Sequence, residues 1–156
     1  MAPSLKKYIW ALIIVAILGF LDASYLTVAH YLKAPIPCGL VQGCDVVTTS
    51  AYSEIAGVPV ALLGALYYLT ILILSIISLE KADRRLLRYT SHLTWSGLIA
   101  SLYFVAIQLF VLKAICLWCM GSAITSTALF VLGLFVIKLL NADRNQSVAN
   151  PPLASL

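Results

Sequence analysis

Four long stretches of the chain contain almost no charge, and they restrict the possible folds more than any other feature. Each is about 25 residues long, so a helix that rises 1.5 Å per residue would extend roughly 36 Å along it. That length crosses the ~30 Å hydrocarbon core of a bilayer, whereas apolar helices in soluble cores are usually shorter. The sequence therefore predicts an all-α integral membrane protein with a bundle of four transmembrane helices. The stretches are residues 8–32, whose only charge is Asp22, and residues 55–79, 89–112 and 114–137.

We expect one four-helix transmembrane domain over residues 1–140 and a flexible cytoplasmic tail over residues 141–156, which is polar and contains a Pro pair. The helices are expected at about residues 8–32, 57–79, 90–112 and 115–139. A Pro- and Gly-rich outer loop, with room for a short helix after Cys44, would join the first two helices. A cleaved signal peptide at the start of the chain is an alternative, but its apolar stretch is longer than those of signal peptides.

The positive charges predict how the helices are oriented. Of the ten Lys and Arg residues, only Lys33 and Lys113 follow the first or third helix, on one side of the membrane. The positive-inside rule assigns the other side, with both chain termini, to the cytoplasm of a cell membrane. The same distribution accounts for the net charge of +4, and it leaves no basic face for a nucleic acid.

The chain has four cysteines, Cys38, Cys44, Cys116 and Cys119, and the charge rule places all of them on the outer, oxidising side. Cys116 and Cys119 form a Cys-x-x-Cys pair in the expected first turn of the fourth helix. A helix N-terminus stabilises a thiolate, and the nearby Lys113 adds charge of the same sign. We interpret the cysteines as a redox-active centre that carries out thiol–disulfide exchange.

Two other interpretations of the cysteines stay open on the residues alone. Cys-x2-Cys suits zinc or copper, although the Cys38–Cys44 spacing is wider than usual for a metal site. The cysteines could instead lock a structural scaffold. Bridges within each local pair would contribute only about 2 kcal/mol, but a bridge from Cys38 to Cys116 would contribute about 4.5 kcal/mol.

Three segments together resemble the vitamin K epoxide reductase family, in particular its short prokaryotic members without a fused thioredoxin-like domain. The segments are ASYLTVAHY at residues 23–31, CGLVQGCDVVTTSAYSEIAGVPVALLGALYY at 38–68, and QLFVLKAICLWC at 108–119. They combine a loop cysteine pair, a serine six residues after its second cysteine, Gly-x-Pro before the second helix, and Cys-x-x-Cys at the fourth.

The resemblance implies a four-helix bundle around a membrane quinone of the ubiquinone or menaquinone type. Family members pass electrons from thiols outside the membrane to the quinone, which drives disulfide bond formation. Cys38 and Cys44 would be the shuttle pair, and Cys116 and Cys119 the active-site pair, with Cys119 nearest the quinone. The thiol partner would be a separate extracytoplasmic protein of the thioredoxin fold.

The resemblance also implies some of the residues around the quinone. Ser50 matches a small hydroxyl residue beside the active site in the family. Animal members place an Asn and a Tyr as hydrogen-bond donors to the quinone oxygens, and alignment without gaps puts Val60 and Ala123 at those positions. Ala123 would therefore touch the quinone without a donor, and epoxide reduction is less expected than quinone reduction.

Other polar residues near the membrane are further candidates. Asp22 lies inside the first helix, where a carboxylate is costly and suggests function, so it could relay the protons of the quinone or serve as a structural partner. Tyr67 and Tyr103 could flank the quinone, or they could belong to an aromatic belt at the membrane interface. His30, at the outer end of the first helix, could accept a thiol proton or be an ordinary surface residue.

Overall fold

A computed structural model describes residues 3–34, 36 and 43–149, and it confirms an all-α bundle of four long helices. Each helix is long and apolar enough to cross a membrane. The long helices are α1 (Pro3–Leu32), α3 (Val60–Glu80), α4 (Arg84–Ala106) and α5 (Leu117–Ala149), and a π-helix, Ile107–Leu112, continues α4. Between α1 and α3 lie a short helix α2 (Cys44–Thr48), a 3₁₀ turn (Ala51–Ser53), and strands β1 (Glu54–Ile55) and β2 (Val58–Pro59).

Several helix boundaries differ from those expected, and α1 and α4 begin earlier, at Pro3 and Arg84. α3 begins at Val60 instead of near residue 57, because β1 and β2 pair antiparallel around a turn in which Gly57 has φ 79°. α5 begins at Leu117, since the Cys116 carbonyl accepts the Met120 amide at 3.0 Å and so makes Cys116 the N-cap. α5 also continues to Ala149, beyond the expected end near residue 139.

The flexibility of the predicted tail at residues 141–156 stays a prediction. Residues 141–149 belong to α5, and residues 150–156 lie outside the described part of the chain. The short helix expected after Cys44 is α2, which begins at Cys44 itself.

The helices pack in a ring in which α1 and α4 each contact both α3 and α5. We call the end of the bundle near Leu32, Val60 and Leu117 the cysteine end, and the other the opposite end. The half towards the opposite end is filled by large side chains with at most 1% exposure. They are Leu5, Ile9, Leu12, Ile71, Leu87, Leu129 and Val136.

Several hydroxyl groups in the same half donate to carbonyl groups of their own helices, whereas the buried Ser75 hydroxyl has no hydrogen-bond partner among the described residues. Ser78 donates to the Leu74 carbonyl at 2.7 Å, and Ser91 donates to the Leu87 carbonyl at 2.9 Å. Asp83 caps α4 by accepting the Arg85 amide at 2.8 Å. This half of the bundle therefore combines dense packing with polar groups that are mostly satisfied, Ser75 being the exception among the described residues.

Candidate functional site

The two cysteines at the start of α5 lie sulfur against sulfur. The Cys119 thiol donates to Cys116 Sγ at 2.7 Å, and the Cys119 backbone amide donates to the same sulfur at 3.3 Å. Both residues are free thiols. The hydrogen bond from Cys119 lowers the pKa of the Cys116 thiol, although burial acts in the opposite direction. Because an N-cap and the residue three positions later face one another, oxidation can join these sulfurs without moving the helix.

Gln108, in the π-helix, fixes the segment that leads into this pair. Its side chain is 3% exposed, and its Oε1 accepts the Cys116 backbone amide at 3.0 Å. Its backbone carbonyl accepts the Ala114 amide at 3.1 Å, across a link that turns at Lys113 with φ 49°. π-helices are rare and occur often at functional sites. Sequence reasoning missed this role, because only a break in apolar character marks Gln108.

Cys44 lies beside the active-site pair. It is 1% exposed and shares a buried cluster with Cys116, which is 0% exposed. Cys44 takes part in a disulfide bond. The backbone at Gly43 packs directly on the backbone of Ile115, so that a side chain at Gly43 would collide with the Ile115 carbonyl oxygen. Cys38 lies outside the described residues, and its predicted shuttle role is not tested.

A cavity of about 460 Å³ opens beside Cys119, between α1, α3, α4 and α5 and beneath the β1–β2 hairpin. Its volume falls in the range of small-molecule sites. Its wall is mainly apolar and includes Leu26, Leu63, Gly64, Ala100, Phe104 and Cys119.

The structure brings only some of the predicted quinone neighbours to this cavity. Tyr67 and Ala123 line it, and so does Val60. Tyr103 is 57% exposed, packs against Phe104 at a ring-centroid distance of 5.2 Å, and lies outside the cavity wall. The helical repeat explains the difference, since it turns the Tyr103 side chain to the outer face of α4.

Ser50 and Asp22 also lie outside that wall. Ser50 follows α2, and its hydroxyl donates to the Val47 carbonyl at 2.8 Å. Asp22 faces α5, where it neighbours Gly121 and interacts with the Ser122 side chain. One carboxylate oxygen of Asp22 is buried and has no hydrogen-bond partner among the described residues. Ser122 itself lines the cavity, so only the Ser122 side chain lies between Asp22 and the cavity.

A hydroxyl cluster next to Asp22 joins α3 to α5. The Tyr68 hydroxyl donates to the Ser122 carbonyl at 2.7 Å and lies 2.9 Å from Thr125 Oγ1. Gly19 on α1 leaves room for the Tyr68 ring, because a side chain there would overlap it. The cluster fixes the first turns of α5, on which Cys119 lies. The sequence held no spacing signal for it, since Tyr68 lies 54 residues before Ser122 and 57 before Thr125.

Within residues 3–34, 36 and 43–149, no group of three or more His, Cys, Asp or Glu side chains is arranged to hold a metal ion. Compared with models of known families, residues 10–134 match the one described as "Vitamin K epoxide reductase family". The match includes all four cysteines and the whole cavity wall.

The chain belongs to the vitamin K epoxide reductase family. The resemblance predicted from the motifs is thereby confirmed. No curated protein matches the chain. Membership in this family makes the protein a multi-pass membrane oxidoreductase of the thiol–disulfide type in general terms, and members of the family generally use quinones and thioredoxin-like redox partners.

Proposed function

We propose that this member of the vitamin K epoxide reductase family passes electrons from an extracytoplasmic thioredoxin-fold thiol oxidase to a membrane quinone, and so drives disulfide bond formation. Electrons would enter at Cys38 and Cys44 and leave through Cys116 and Cys119. One observation carries the proposal: Cys119 lines an apolar cavity, while its partner Cys116 lies in one buried cluster with Cys44. Cys44, Cys116 and Cys119 would thus connect the segment between α1 and α3 to a site inside the bundle.

The cavity has the properties that a quinone head group requires. It holds about 460 Å³ and is mainly apolar, with a few polar groups that include Tyr67 and Ser122. Tyr67 has a buried hydroxyl without a hydrogen-bond partner among the described residues, which fits an acceptor on a ligand. A bound quinone supplies the two-electron acceptor, and the protein supplies position and electrostatics.

Electrons and protons balance over the exchange steps, because each disulfide that is reduced in one step is formed again in another. A dithiol on the partner reduces the Cys38–Cys44 disulfide, and the partner leaves oxidised. The Cys44 thiolate then attacks Cys116 of an oxidised Cys116–Cys119 pair, which frees Cys119 as a thiolate. Attack by Cys38 on Cys44 restores the loop disulfide and leaves Cys116 and Cys119 reduced. Their two electrons and two thiol protons equal those needed to convert a quinone to a quinol.

The backbone around the pair supports this order of attack. Gly43, the residue before Cys44, packs against the backbone of Ile115, the residue before Cys116. Cys119 in turn faces the cavity. Cys44 thus shares a buried cluster with Cys116, and Cys119 lines the cavity, which fits the proposed order of attack.

The proposal is tested by quinone reduction with a reduced thioredoxin-fold protein as the electron source. Cys119→Ala should abolish reduction, because no Cys116–Cys119 disulfide can form. It should accumulate a Cys44–Cys116 bridge, because Cys116 can attack Cys44 of the loop disulfide and free Cys38, whereas Cys119 is missing and cannot displace Cys44 from Cys116. Met120→Ala, a change in the same helical turn, should keep activity and show no trapped bridge. A trapped Cys38–Cys116 bridge would reverse the assignment of the loop cysteines. Cysteines that react only after unfolding would instead favour the disulfide-locked scaffold.

The orientation in the membrane is tested separately. With both termini in the cytoplasm, reduced Cys38 and Cys44 in intact cells should react with thiol reagents that are too polar to cross the membrane. The charge distribution motivates this expectation. Labelling only after the cytoplasmic side is opened would overturn the proposed direction of electron flow.

A further inference from the structure

Two adjacent tyrosines on α3 differ in how their hydroxyl groups are satisfied. The Tyr68 hydroxyl has partners at the start of α5, on Ser122 and Thr125. The Tyr67 hydroxyl is buried and makes no hydrogen bond of ordinary length in the described part of the chain, although the Ser126 side chain lies near enough to interact with it. Leaving a buried hydroxyl unpaired is unfavourable, so such a group in a native protein needs an explanation. Because Tyr67 lies in the cavity wall, a ligand in the cavity offers one.

The neighbouring helices are shaped to admit this hydroxyl. On α4, Gly97 lies directly against it, and any side chain at that position would collide with the phenol oxygen. A Cβ atom placed at Gly97 would also lie only 2.7 Å from Ser126 Oγ on α5. Gly97 and Ser126 both line the cavity. A small residue and a polar residue therefore surround the Tyr67 oxygen at one end of the cavity.

The other end of the cavity is set by the active-site cysteine. Cys119 and Ser126 lie seven residues apart on α5, which is two turns or about 10 Å. The Cys119 sulfur and the polar group at Ser126 are thus separated along one wall of the cavity. The separation suits a planar ring that touches the sulfur with one edge and carries an oxygen at the opposite edge.

Two residues of the cavity wall have apolar side chains. They are Val60 and Ala123, on α3 and α5. Neither side chain can donate a hydrogen bond. A quinone bound here needs a donor from elsewhere on the wall.

We propose that the Tyr67 hydroxyl donates a hydrogen bond to the quinone carbonyl remote from Cys119, and supplies the donor that residues 60 and 123 lack. The proposal rests on the proposed function, in which the ligand of the cavity is a quinone. A hydrogen bond to an oxygen that gains negative charge becomes stronger, so this contact favours reduction as well as binding. Tyr67 is then a specificity-determining residue for quinones with an accessible second carbonyl.

The test compares the purified protein with Tyr67→Phe, using ubiquinone and menaquinone analogues with short tails as probes. Without quinone, Tyr67→Phe should melt at the same temperature as the wild type or higher, because it removes an unpaired buried hydroxyl. With quinone, its affinity should fall about tenfold, which corresponds to ~1.4 kcal/mol. The infrared carbonyl stretch of the bound quinone should shift to higher frequency, since one carbonyl loses its donor.

Matched changes separate this role from a structural one. Tyr89→Phe, which alters a 72% exposed tyrosine near the start of α4, should change neither affinity nor the carbonyl stretch. Tyr68→Phe, which removes a satisfied hydroxyl, should lower the melting temperature without quinone. If the wild type binds quinone and Tyr67→Phe binds it equally, with the same carbonyl stretch, the inference is overturned while the proposed function stands. A wild type that binds no quinone overturns both.

Discussion

The two halves of the bundle are built on different rules. Towards the opposite end, large apolar side chains interlock and several hydroxyl groups bond to their own helices, although the buried Ser75 hydroxyl has no partner among the described residues. Towards the cysteine end, the helices enclose a cavity of about 460 Å³, α4 changes to a π-helix, and Asp22 and Tyr67 each bury an oxygen that has no partner among the described residues. Packing stabilises a helix bundle, whereas a cavity and unpaired polar atoms cost stability.

The comparison shows how a small membrane protein separates stability from reactivity. A filled half can hold four helices in place while the other half stays open to a ligand and to the exchange of disulfides. Changes in the first half should therefore alter stability and leave the chemistry of each folded molecule intact. Changes in the second half should do the reverse, and the following variants test this division.

Leu12→Ala should give the largest effect of the set. Leu12 is fully buried in the packed half, and removing such a side chain typically costs about 2–5 kcal/mol. Leu18→Ala on the same helix is the control, since Leu18 is 55% exposed towards the lipid side. Thermal unfolding in detergent should separate the two variants, while turnover per folded molecule stays unchanged in both. Loss of turnover in folded Leu12→Ala would contradict the division.

Gly43→Ala should impair exchange between the two cysteine pairs. The new methyl group would overlap the Ile115 carbonyl, and overpacking of this kind costs about 1–3 kcal/mol. Transfer from Cys44 to Cys116 should slow roughly tenfold or more, while quinone binding stays unchanged. The measurement is the rate at which reduced Cys44 reduces the Cys116–Cys119 pair in rapid mixing. Gly121→Ala, where a methyl group has space, should exchange at the wild-type rate.

Asp22→Asn should slow turnover by about tenfold, or ~1.4 kcal/mol in activation free energy, if the carboxyl group moves protons between the thiols and the quinone. Asn keeps the shape of Asp but cannot exchange a proton at neutral pH, so the protein should still fold and bind quinone. A lower melting temperature with unchanged turnover would instead identify Asp22 as a structural residue. Full activity across the neutral pH range would contradict the proton-relay hypothesis.

Glu54→Gln should have the smallest effect. Glu54 Oε1 lies 2.9 Å from His30 Nε2 and joins β1 to the end of α1 over the cavity. Both groups are partly exposed to solvent, and such pairs are typically worth less than about 1 kcal/mol, with a smaller effect at high salt. Glu80→Gln at the opposite end serves as the control. A large loss of stability in Glu54→Gln would mean that the hairpin is part of the stable half.

The division between the halves also explains what the sequence could predict. Long charge-free stretches require helices whatever their neighbours are, so the four helices and the position of the Cys116–Cys119 pair at a helix start follow from the sequence alone. The start of α3 at Val60 does not, because it depends on a hairpin that pairs Glu54–Ile55 with Val58–Pro59. Local pairing of this kind competes with helix propensity in a way that periodicity cannot reveal.

The cavity wall is less predictable, since it depends on which faces of different helices meet. Tyr67 and Ala123 line the cavity as expected residues, whereas Tyr103 points outwards from α4. The roles of Gly97 and Gln108 depend on contacts with residues on other segments. No spacing within one segment marks such contacts.

Gln108 has a consequence for where motion can occur. It accepts hydrogen bonds from both Ala114 and Cys116, and so fastens the start of α5 to the end of α4. Under the proposed function, the Cys116–Cys119 pair would then keep its position beside the cavity during turnover. The segment that begins at Gly43 would be the part that moves, and the rate of its motion would limit how fast electrons reach the cavity.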